Sequence, residues 1–367
     1  MKQNRTPEPS FILSPFWQAR QLAFIGILRS LAPDPTARHG NLAMALEAIQ
    51  VESSVVARGG RGRRAHTRKA LARAFVVKAI AGYPTTKALV LALLSDEALR
   101  ALCGFWREIP SEATFCRAFT GFARANLGDD ALARLAREVL GQEVVTHVAR
   151  DSTPIKARER PVRKPKKEPG PRLKPGPKKG IPPKGRPVTR QMRQLGQDPE
   201  TAIKELSKVC DVGTKRNSKG HDEHWIGYKF HVDVTADGLP ISAVTTSASV
   251  HDSQVAIPLM KLTAQRTLAV CYQLMDSGYV GKPIIQAADE LGQVPIVAPK
   301  GTSQAPAIPL DPARKKTYSL RCVVERFFSD LKDNRGGSCV RVKGHAKVHL
   351  HLMFGLLAIF ALHLLAT

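Results

Sequence analysis

Acidic residues are scarce in this chain relative to basic ones. Its 367 residues include 56 Lys and Arg but only 31 Asp and Glu, which gives a formal net charge of +25 at pH 7. An excess of this size indicates a polyanionic partner, either nucleic acid or an anionic membrane surface. The chain is also long enough to form two domains, each with a sizeable core.

Cysteine is sparse and shows no C-x-x-C pair or regular framework, which argues against a disulfide scaffold and favours free thiols in a reducing cytoplasm. The one cysteine and histidine group that is close in sequence has a spacing that fits no common zinc finger. It comprises Cys210, His221, His224 and His231.

Long apolar runs are absent except at the C-terminus. The N-terminus lacks the apolar core of a signal peptide, because Met1-Lys-Gln-Asn-Arg is followed by prolines. Val348–Leu365 is almost wholly apolar and, at 18 residues, just long enough to cross a membrane. Three histidines interrupt this run and no charged anchor follows it, so the pattern favours a buried helix that covers a sheet. A membrane anchor remains the alternative.

Apolar spacing predicts an all-α N-terminal domain over residues 1–142. An apolar, helix-like run from Phe16 to Leu31 comes first, and helical periodicity is strong from about residue 66. Gly82-Tyr-Pro84 should break that pattern once, and Pro110-Ser111 should begin a further helix with Ser111 as its cap. A last helix is predicted over 129–141.

The pattern changes at residue 143 to that of an α/β domain, predicted over 143–367. Two extended segments, Trp225–Val234 and Pro240–Ser247, flank Ala-Asp237-Gly238, which is typical of a β-hairpin. The whole order predicts a mixed sheet flanked by helices. The other predicted elements are strands at Val144–Asp151, Ala269–Asp276 and Val294–Pro299, and helices at Ser253–Gln265, Lys282–Leu291, from about 318 and at the C-terminus.

A basic insertion is predicted to interrupt this domain at 156–195. It carries 15 basic and 2 acidic residues with nine prolines and four glycines, so it cannot bury enough apolar surface to order itself. Either it is an inert spacer or it attaches to DNA without sequence preference, and its cations favour attachment. The lysines expected to contact phosphate are Lys166, Lys167, Lys178 and Lys179.

A second basic cluster lies at residues 58–78, where no acidic residue occurs. It is either a solvated helix face or a surface that recognises DNA ends. The residues predicted to bind DNA there are Arg61, Arg63, Arg64 and Arg68.

Four polar residues share one face of the helix predicted from about 318. At about 100° per residue, Arg321, Glu325 and Lys332 fall within about 60° of Tyr318, and the apolar residues cluster on the opposite side. A lone carboxylate therefore accompanies two cations and a phenol. An ordinary amphipathic surface helix is the alternative explanation.

The spacing Tyr318-x2-Arg321-x3-Glu325-x6-Lys332 resembles the signature of bacterial insertion-sequence DDE transposases of the IS-four/IS-five-like superfamily. Asp276-Ser-Gly278-Tyr279 is similar to the element that carries their second catalytic acid, and Val148-Ala-Arg-Asp151 to the strand end that carries the first. Residues 70–125 resemble their N-terminal domain. The resemblance implies a ribonuclease-H-like catalytic core.

The resemblance further implies that Asp151, Asp276 and Glu325 are the catalytic residues and hold Mg²⁺, for which Mn²⁺ can substitute. Tyr318, Arg321 and Lys332 would hold the phosphates of double-stranded DNA. Two other acids, Asp233 and Asp252, are rivals for the role of Asp276 when the residues alone are considered.

By resemblance, the protein would be a cytoplasmic, nucleoid-associated transposase that acts as a homodimer on DNA, with no membrane partner. It would bind terminal inverted repeats, cut them and join the 3′ ends to target DNA. A catalytically inactive, transposon-derived DNA-binding protein is one alternative. A nuclease that never joins ends is another, since it would share every site residue.

Overall fold

Helices make up the described part of the chain before residue 144. The computed structural model describes residues 37–56, 67–106, 108–162, 188–216, 220–299, 301 and 308–366. The first helices are α1 (Ala37–Ile49), α2 (Arg68–Ile80), α3 (Thr86–Ser95), α4 (Glu97–Cys103), α5 (Glu112–Arg124) and α6 (Leu127–Leu140).

Local sequence signals account for several ends of these helices. The predicted break after α2 is confirmed, and Gly82 there adopts φ +67°, which glycine tolerates without steric cost. The hydroxyl of Thr85 accepts the Ala88 amide at the start of α3. Helix α5 begins where predicted, directly after Ser111, but the side chain of Ser111 makes no capping bond to the backbone.

The strands of the described residues form one mixed sheet of six. They are β1 (Val144–Lys156), β2 (Asp211–Arg216), β3 (Asp222–Thr235), β4 (Pro240–Ser247), β5 (Ala269–Met275) and β6 (Val294–Val297). The order is β2-β3-β1-β5-β6, and β4 pairs with β3. The predicted hairpin is confirmed as β3 and β4. Strand β2 was not predicted, and its sequence lacks a clear apolar alternation.

Strand β1 is central and pairs in both senses. It lies antiparallel to β3 and parallel to β5. It also continues five residues past its predicted end, so Asp151 lies within the strand rather than at its end. The apolar run that marked the strand stops at residue 149, but the ladder with β3 continues to Lys156, which explains the difference.

Helices cover both faces of the sheet. After β1 come α7 (Arg190–Leu195), α8 (Pro199–Lys204), α9 (Ala256–Ala264), α10 (Lys282–Glu290), α11 (Pro312–Ser319), α12 (Cys322–Asp333) and α13 (His345–Ala366). The hydroxyl of Thr245 is 2.7 Å from Nδ1 of His349 in α13, whereas that of Ser242 is 2.5 Å from that of Thr263 in α9. Because successive strand residues point to opposite faces, these contacts define an α13 face and an α9 face.

The helix predicted from about 318 is two helices. Helix α11 ends at Ser319 and α12 begins at Cys322, and the amides between them bond to carbonyls three residues back. The four-residue signature therefore spans a break in the helix, which periodicity alone did not indicate.

Helix α13 is part of the core. It packs against α1, α2, α5, α6 and α12 and against β4, and Leu352, Met353 and Leu356 are at most 1% exposed. It is the one helix of the described residues that is long and apolar enough to cross a membrane, yet 72% of its most apolar window is buried inside the protein. This packing agrees with the prediction of a buried helix.

Several predictions fall wholly or partly outside the described residues. The run Phe16–Leu31 lies outside, and so does 163–187 of the basic insertion. The ends of that insertion differ from the prediction of disorder, because Lys156 closes β1 and Arg190–Leu195 is helical. The predicted DNA-binding residues outside the description are Arg61, Arg63, Arg64, Lys166, Lys167, Lys178 and Lys179.

Candidate active site

Two carboxylates lie side by side where the parallel pairing of β1 with β5 ends. Arg150 of β1 pairs in register with Met275 of β5, so the next residues along each strand, Asp151 and Asp276, are neighbours. Asp151 points to the α13 face, since Arg150 before it bonds Asp233 on the α9 face. The parallel pairing of β1 with β5 thus brings together two residues that have 124 residues between them in the sequence.

The turn after β5 fixes Asp276. Its Oδ1 accepts the amide of Gly278 at 2.8 Å and caps a short 3₁₀ turn, Ser277–Tyr279. A Cβ at position 278 would lie 3.0 Å from that same oxygen, so glycine allows the close approach. Tyr279 is 1% exposed and packs beneath the turn among residues of α9 and α10. The Asp-x-Gly-Tyr element therefore holds the carboxylate of Asp276 in a fixed position.

Arg321 joins the third carboxylate to the first. Its Nη2 lies 2.6 Å from Oδ2 of Asp151, and its Nη1 lies 3.3 Å from Oε1 of Glu325. The Glu325 side chain is 65% exposed, whereas those of Arg321 and Asp151 are 14% and 21% exposed. Glu325 thus lies at the open side of the group, one turn into α12.

Burial dominates the electrostatics of the group. It raises the pKa of Asp151 to about 6, and neighbouring Asp276 adds to the rise, while Arg321 and the Ser152 amide oppose it. The pKa of Arg321 is raised because its carboxylate neighbours, led by Asp151, outweigh burial. The group therefore concentrates negative charge that a single guanidinium balances only in part.

Tyr318 and Lys332 lie at the edges of the same group. Burial raises the pKa of the Tyr318 phenol, and the charges of Arg321 and Asp276 also act on it. Burial and the neighbouring Lys215 lower the pKa of Lys332, while Asp151 raises it. Tyr318, Arg321 and Lys332 thus each interact electrostatically with Asp151, and Glu325 is joined to Asp151 through Arg321.

The rival acids lie on the other face of the sheet. Asp233 is fully buried and binds Arg150 through two bonds of 2.8 and 2.6 Å, and Thr263 donates to it. Asp252 is bonded by the Ser152 hydroxyl at 2.9 Å and by the Lys229 ammonium at 3.1 Å. Neither carboxylate is bonded to Arg321, although the charge of Asp252 is close enough to help raise the pKa of Asp151.

Some neighbours of the group were missed from the sequence. Ser152 links the strand of Asp151 to Asp252, and Lys156 and Lys215 act electrostatically on Lys332. The sequence offers one signal for these neighbours, which is that Ser152 directly follows Asp151. Lys156 falls in the segment that is predicted to be disordered, and Lys215 lies on β2, which the sequence does not predict.

Arg68 is the one member of the N-terminal basic cluster that was predicted to bind DNA and is described. Its guanidinium carbon lies 4.6 Å from the centroid of the Phe122 ring, and its terminal nitrogens approach Gly121. Arg68 therefore packs against α5 within the helical region, and the structure does not bring it to the carboxylate group.

The carboxylates are not drawn together around a metal in this arrangement. Among the described residues, no three His, Cys, Asp or Glu side chains are close enough to hold an ion. Arg321 instead lies between Asp151 and Glu325. The donor chemistry is nevertheless that of a hard divalent cation, since carboxylate oxygens are its preferred protein ligands.

Comparison with known families identifies the class of protein. Residues 146–361, more than half of the chain, match the family described as Transposase DDE domain, and residues 40–121 match Transposase domain (DUF772). No curated protein and no solved structure matches the chain. The chain belongs to the DDE transposase family, whose members cut and join DNA with the help of divalent metal ions.

Proposed function

We propose that this protein is an insertion-sequence transposase of the IS-four/IS-five-like superfamily with a ribonuclease-H-like catalytic core. It binds the terminal inverted repeats of its element, cuts them by metal-assisted hydrolysis and joins the 3′-hydroxyl ends to target DNA. Residues 1–142 serve DNA-end binding and residues 143–367 form the catalytic domain. Two ends must be held together, so the working form is a homodimer on DNA at the nucleoid, without a membrane partner.

The observation that carries the proposal is the convergence of three separate motifs. Parallel pairing of β1 with β5 sets Asp151 beside Asp276, and Arg321 links Asp151 to Glu325. These residues come from three distant parts of the sequence. A solvated surface helix would have no reason to lie against the two strand carboxylates.

Asp151, Asp276 and Glu325 are the residues that would hold Mg²⁺, or Mn²⁺ in its place. Their oxygen donors fit such an ion, and the exposed Glu325 side chain would turn toward the other two once released from Arg321. When bound, the metal supplies activation of the attacking oxygen and stabilisation of the leaving oxygen in an in-line displacement.

The chain's own residues bind and orient the DNA around that centre. Arg321 presents a planar fork of donors that fits a phosphate as well as it fits the carboxylates it now holds. Lys332 adds a point charge, and the Tyr318 hydroxyl can donate to the same strand. A phosphate on Arg321 would release Asp151 and Glu325 from their ion pairs, so substrate binding and completion of the carboxylate set are linked.

Glu325→Gln tests the proposal most directly. Labelled duplex carrying the element's own ends is incubated with Mg²⁺, and cleavage and strand transfer are measured for wild type and variant. We expect the variant to lose both activities by at least about 10³-fold, because a metal-binding carboxylate is removed. DNA binding should be retained, since Glu325 bears no positive charge. Glu138→Gln, on exposed surface of α6, is the matched control and should leave activity unchanged.

The outcomes separate the alternatives. Cutting without joining by wild type would indicate a nuclease of the same fold. Tight, salt-sensitive binding with no chemistry from wild type would indicate an inactive DNA-binding relative. A fully active Glu325→Gln protein would remove Glu325 from the catalytic set.

A further inference from the structure

A basic cleft lies between the helical region and the segment that joins α12 to α13. Its volume is about 630 Å³, which is within the range of ligand-binding sites in proteins. One wall comes from α2, α3 and α5, and the other from residues 332–343 together with the start of α13. It lies beside the carboxylate group, and apart from Lys332 its lining residues take no part in the function proposed above.

Positive charge predominates at this cleft. Lys78, Arg341, Lys343 and Lys347 line it, and within the described chain none of them has a carboxylate at ion-pair distance. Arg341 and Lys343 are exposed. The lining acids, Glu112 and Asp333, are fewer than the cations. Repulsion between unpaired cations is unfavourable, so the arrangement suits an anionic ligand.

Burial lowers the pKa of Lys78, and the charge of Arg341 lowers it further. The charge of an anion in the cleft would oppose both effects, because it favours the protonated form of Lys78. The lowered pKa of Lys78 agrees with the lining of the cleft. Several cations lie close together there, and no carboxylate of the described chain is at ion-pair distance from them.

The walls of the cleft are fixed before any ligand arrives. Nη1 of Arg335 donates to the carbonyl of Ile80 at 2.7 Å and so ties the end of α12 to the end of α2. The floor is built from packed aromatic rings: Phe75 lies 5.0 Å from Phe119 and 5.8 Å from Phe354, centroid to centroid. A preformed site loses less conformational entropy on binding.

The cleft adjoins the carboxylate group. Lys332 lines the cleft, and its charge also interacts with Asp151. A strand whose phosphate rests on Arg321 and Lys332 would therefore continue directly into the cleft. A DNA strand carries a phosphate at every nucleotide, so it can contact several cations at once, which a single small anion cannot do.

We propose that this cleft binds the sugar–phosphate backbone of the DNA beyond the cleavage site, through Arg341, Lys343 and Lys347. The inference rests on the proposed function, since it assigns a further contact surface for the same DNA. Such contacts add affinity without sequence preference. The two walls come from the helical region and from the α/β region, so the bound strand also bridges them.

The test is the salt dependence of duplex binding by Arg341→Gln/Lys343→Gln/Lys347→Gln. Each phosphate contact contributes about 0.9 to the slope of log affinity against log salt. We expect the slope to fall by about 2 to 3 and the affinity at about 0.1 M salt to fall by tenfold or more. The matched control, Arg137→Gln/Lys204→Gln/Lys282→Gln, removes the same charge from exposed positions outside the cleft and should change the slope by less than about 1.

Equal slopes for the two triple variants would overturn the inference and leave the proposed function standing. Absence of salt-sensitive binding in wild type would overturn both. Folding of each variant is checked by circular dichroism, so that a loss of binding is not a loss of structure.

Thiol protection gives a second readout on the wild-type protein. Cys116 and Cys339 are exposed and line the cleft, whereas Cys271 on β5 does not line it. Duplex DNA should slow alkylation of Cys116 and Cys339 several-fold and leave Cys271 unaffected. Unchanged rates at all three cysteines would contradict the inference.

Discussion

At the scale of single residues, Asp151 and Asp233 have different partners because successive side chains of β1 point to opposite faces of the sheet. Asp151 faces α13 and contacts Arg321, while Arg150 before it is buried and bonds Asp233 on the other face. Both pairs join an aspartate to an arginine, but the Arg150–Asp233 pair is fully buried and the Arg321–Asp151 pair is partly exposed. The fully buried pair is therefore expected to matter for stability, and the partly exposed pair for the proposed chemistry.

Asp233→Ala should lower the free energy of unfolding by about 3–5 kcal/mol, because it leaves the guanidinium of Arg150 buried without its counterion. Asp276→Asn should change it by less than about 1 kcal/mol, since the amide oxygen can still accept the Gly278 amide. Urea denaturation of both variants measures the difference. Similar losses for the two proteins would contradict this division of roles.

The sequence alone could nominate the residues of the candidate site but could not predict their mutual contacts. The Asp-x-Gly-Tyr element and the Tyr-x2-Arg-x3-Glu-x6-Lys spacing are local patterns and were visible. The bond between Arg321 and Asp151 joins residues 170 positions apart. It depends on how α12 packs over β1 and β3, and no local periodicity encodes that packing. The same reason explains why Asp233 was considered a rival.

At the scale of helices and strands, close packing around α13 depends on small residues. A Cβ at Gly128 in α6 would lie 2.5 Å from Cβ of Met353, so the two helices approach more closely than any larger residue permits. Most element positions after residue 143 could be predicted from apolar periodicity. Strand β2 and the α11–α12 break could not, because neither has a distinctive local pattern.

Gly128→Ala should destabilise the protein by about 1–3 kcal/mol, because the added methyl group overpacks the contact between α6 and α13. Gly40→Ala is the matched control. Position 40 is also helical but has no atom within 4 Å of a new Cβ, so alanine there should stabilise the protein by about 0.5–1 kcal/mol. Thermal unfolding of the two variants should shift in opposite directions, and shifts of the same sign would refute the packing argument.

Helix α13 also makes stability depend on pH. Burial, assisted by Lys78, lowers the pKa of His351 to about 4, although donation to the Gly336 carbonyl opposes this. The unfolded value is about 6.5, so the unfolded state takes up the proton first as pH falls. The stabilisation is therefore complete above about pH 6.5 and is lost progressively as pH falls toward 4.

His351→Gln should weaken this pH dependence, because glutamine can donate to Gly336 but does not titrate. The loss of stability between pH 6.5 and 4 should shrink by up to roughly 3 kcal/mol, with little change at pH 7.5. Urea midpoints at a series of pH values measure the effect. An unaltered pH profile would show that His351 is not the titrating group.

At the scale of the whole molecule, the helical region and the sheet share one hydrophobic core. The buried cluster includes Leu46 of α1, Phe122 of α5 and Val232 of β3. Helix α13 contacts α1 and α5 directly, and it contacts β4, which pairs with β3. Removal of either region would expose one side of α13.

We therefore expect both regions to unfold in a single transition. Cys103 in α4 and Cys210 before β2 are buried probes of the two regions. Pulsed alkylation across a urea series, read by mass spectrometry, should give the same midpoint for both thiols. Two separated midpoints would mean that the regions unfold independently.

The alternation of side chains along β1 disfavours a shifted register of this strand. A slip of one residue in this strand would exchange the faces of all its side chains. A slip in one direction would put Ser152 in place of Asp151 beside Asp276, and Asp151 would take the place of Arg150 in the dry interior opposite another carboxylate, Asp233. Because like charges and unpaired charges in the interior are both strongly unfavourable, the misaligned protein would not persist. The buried ion pair of Arg150 with Asp233 thus fixes the position of the neighbouring Asp151 in the strand.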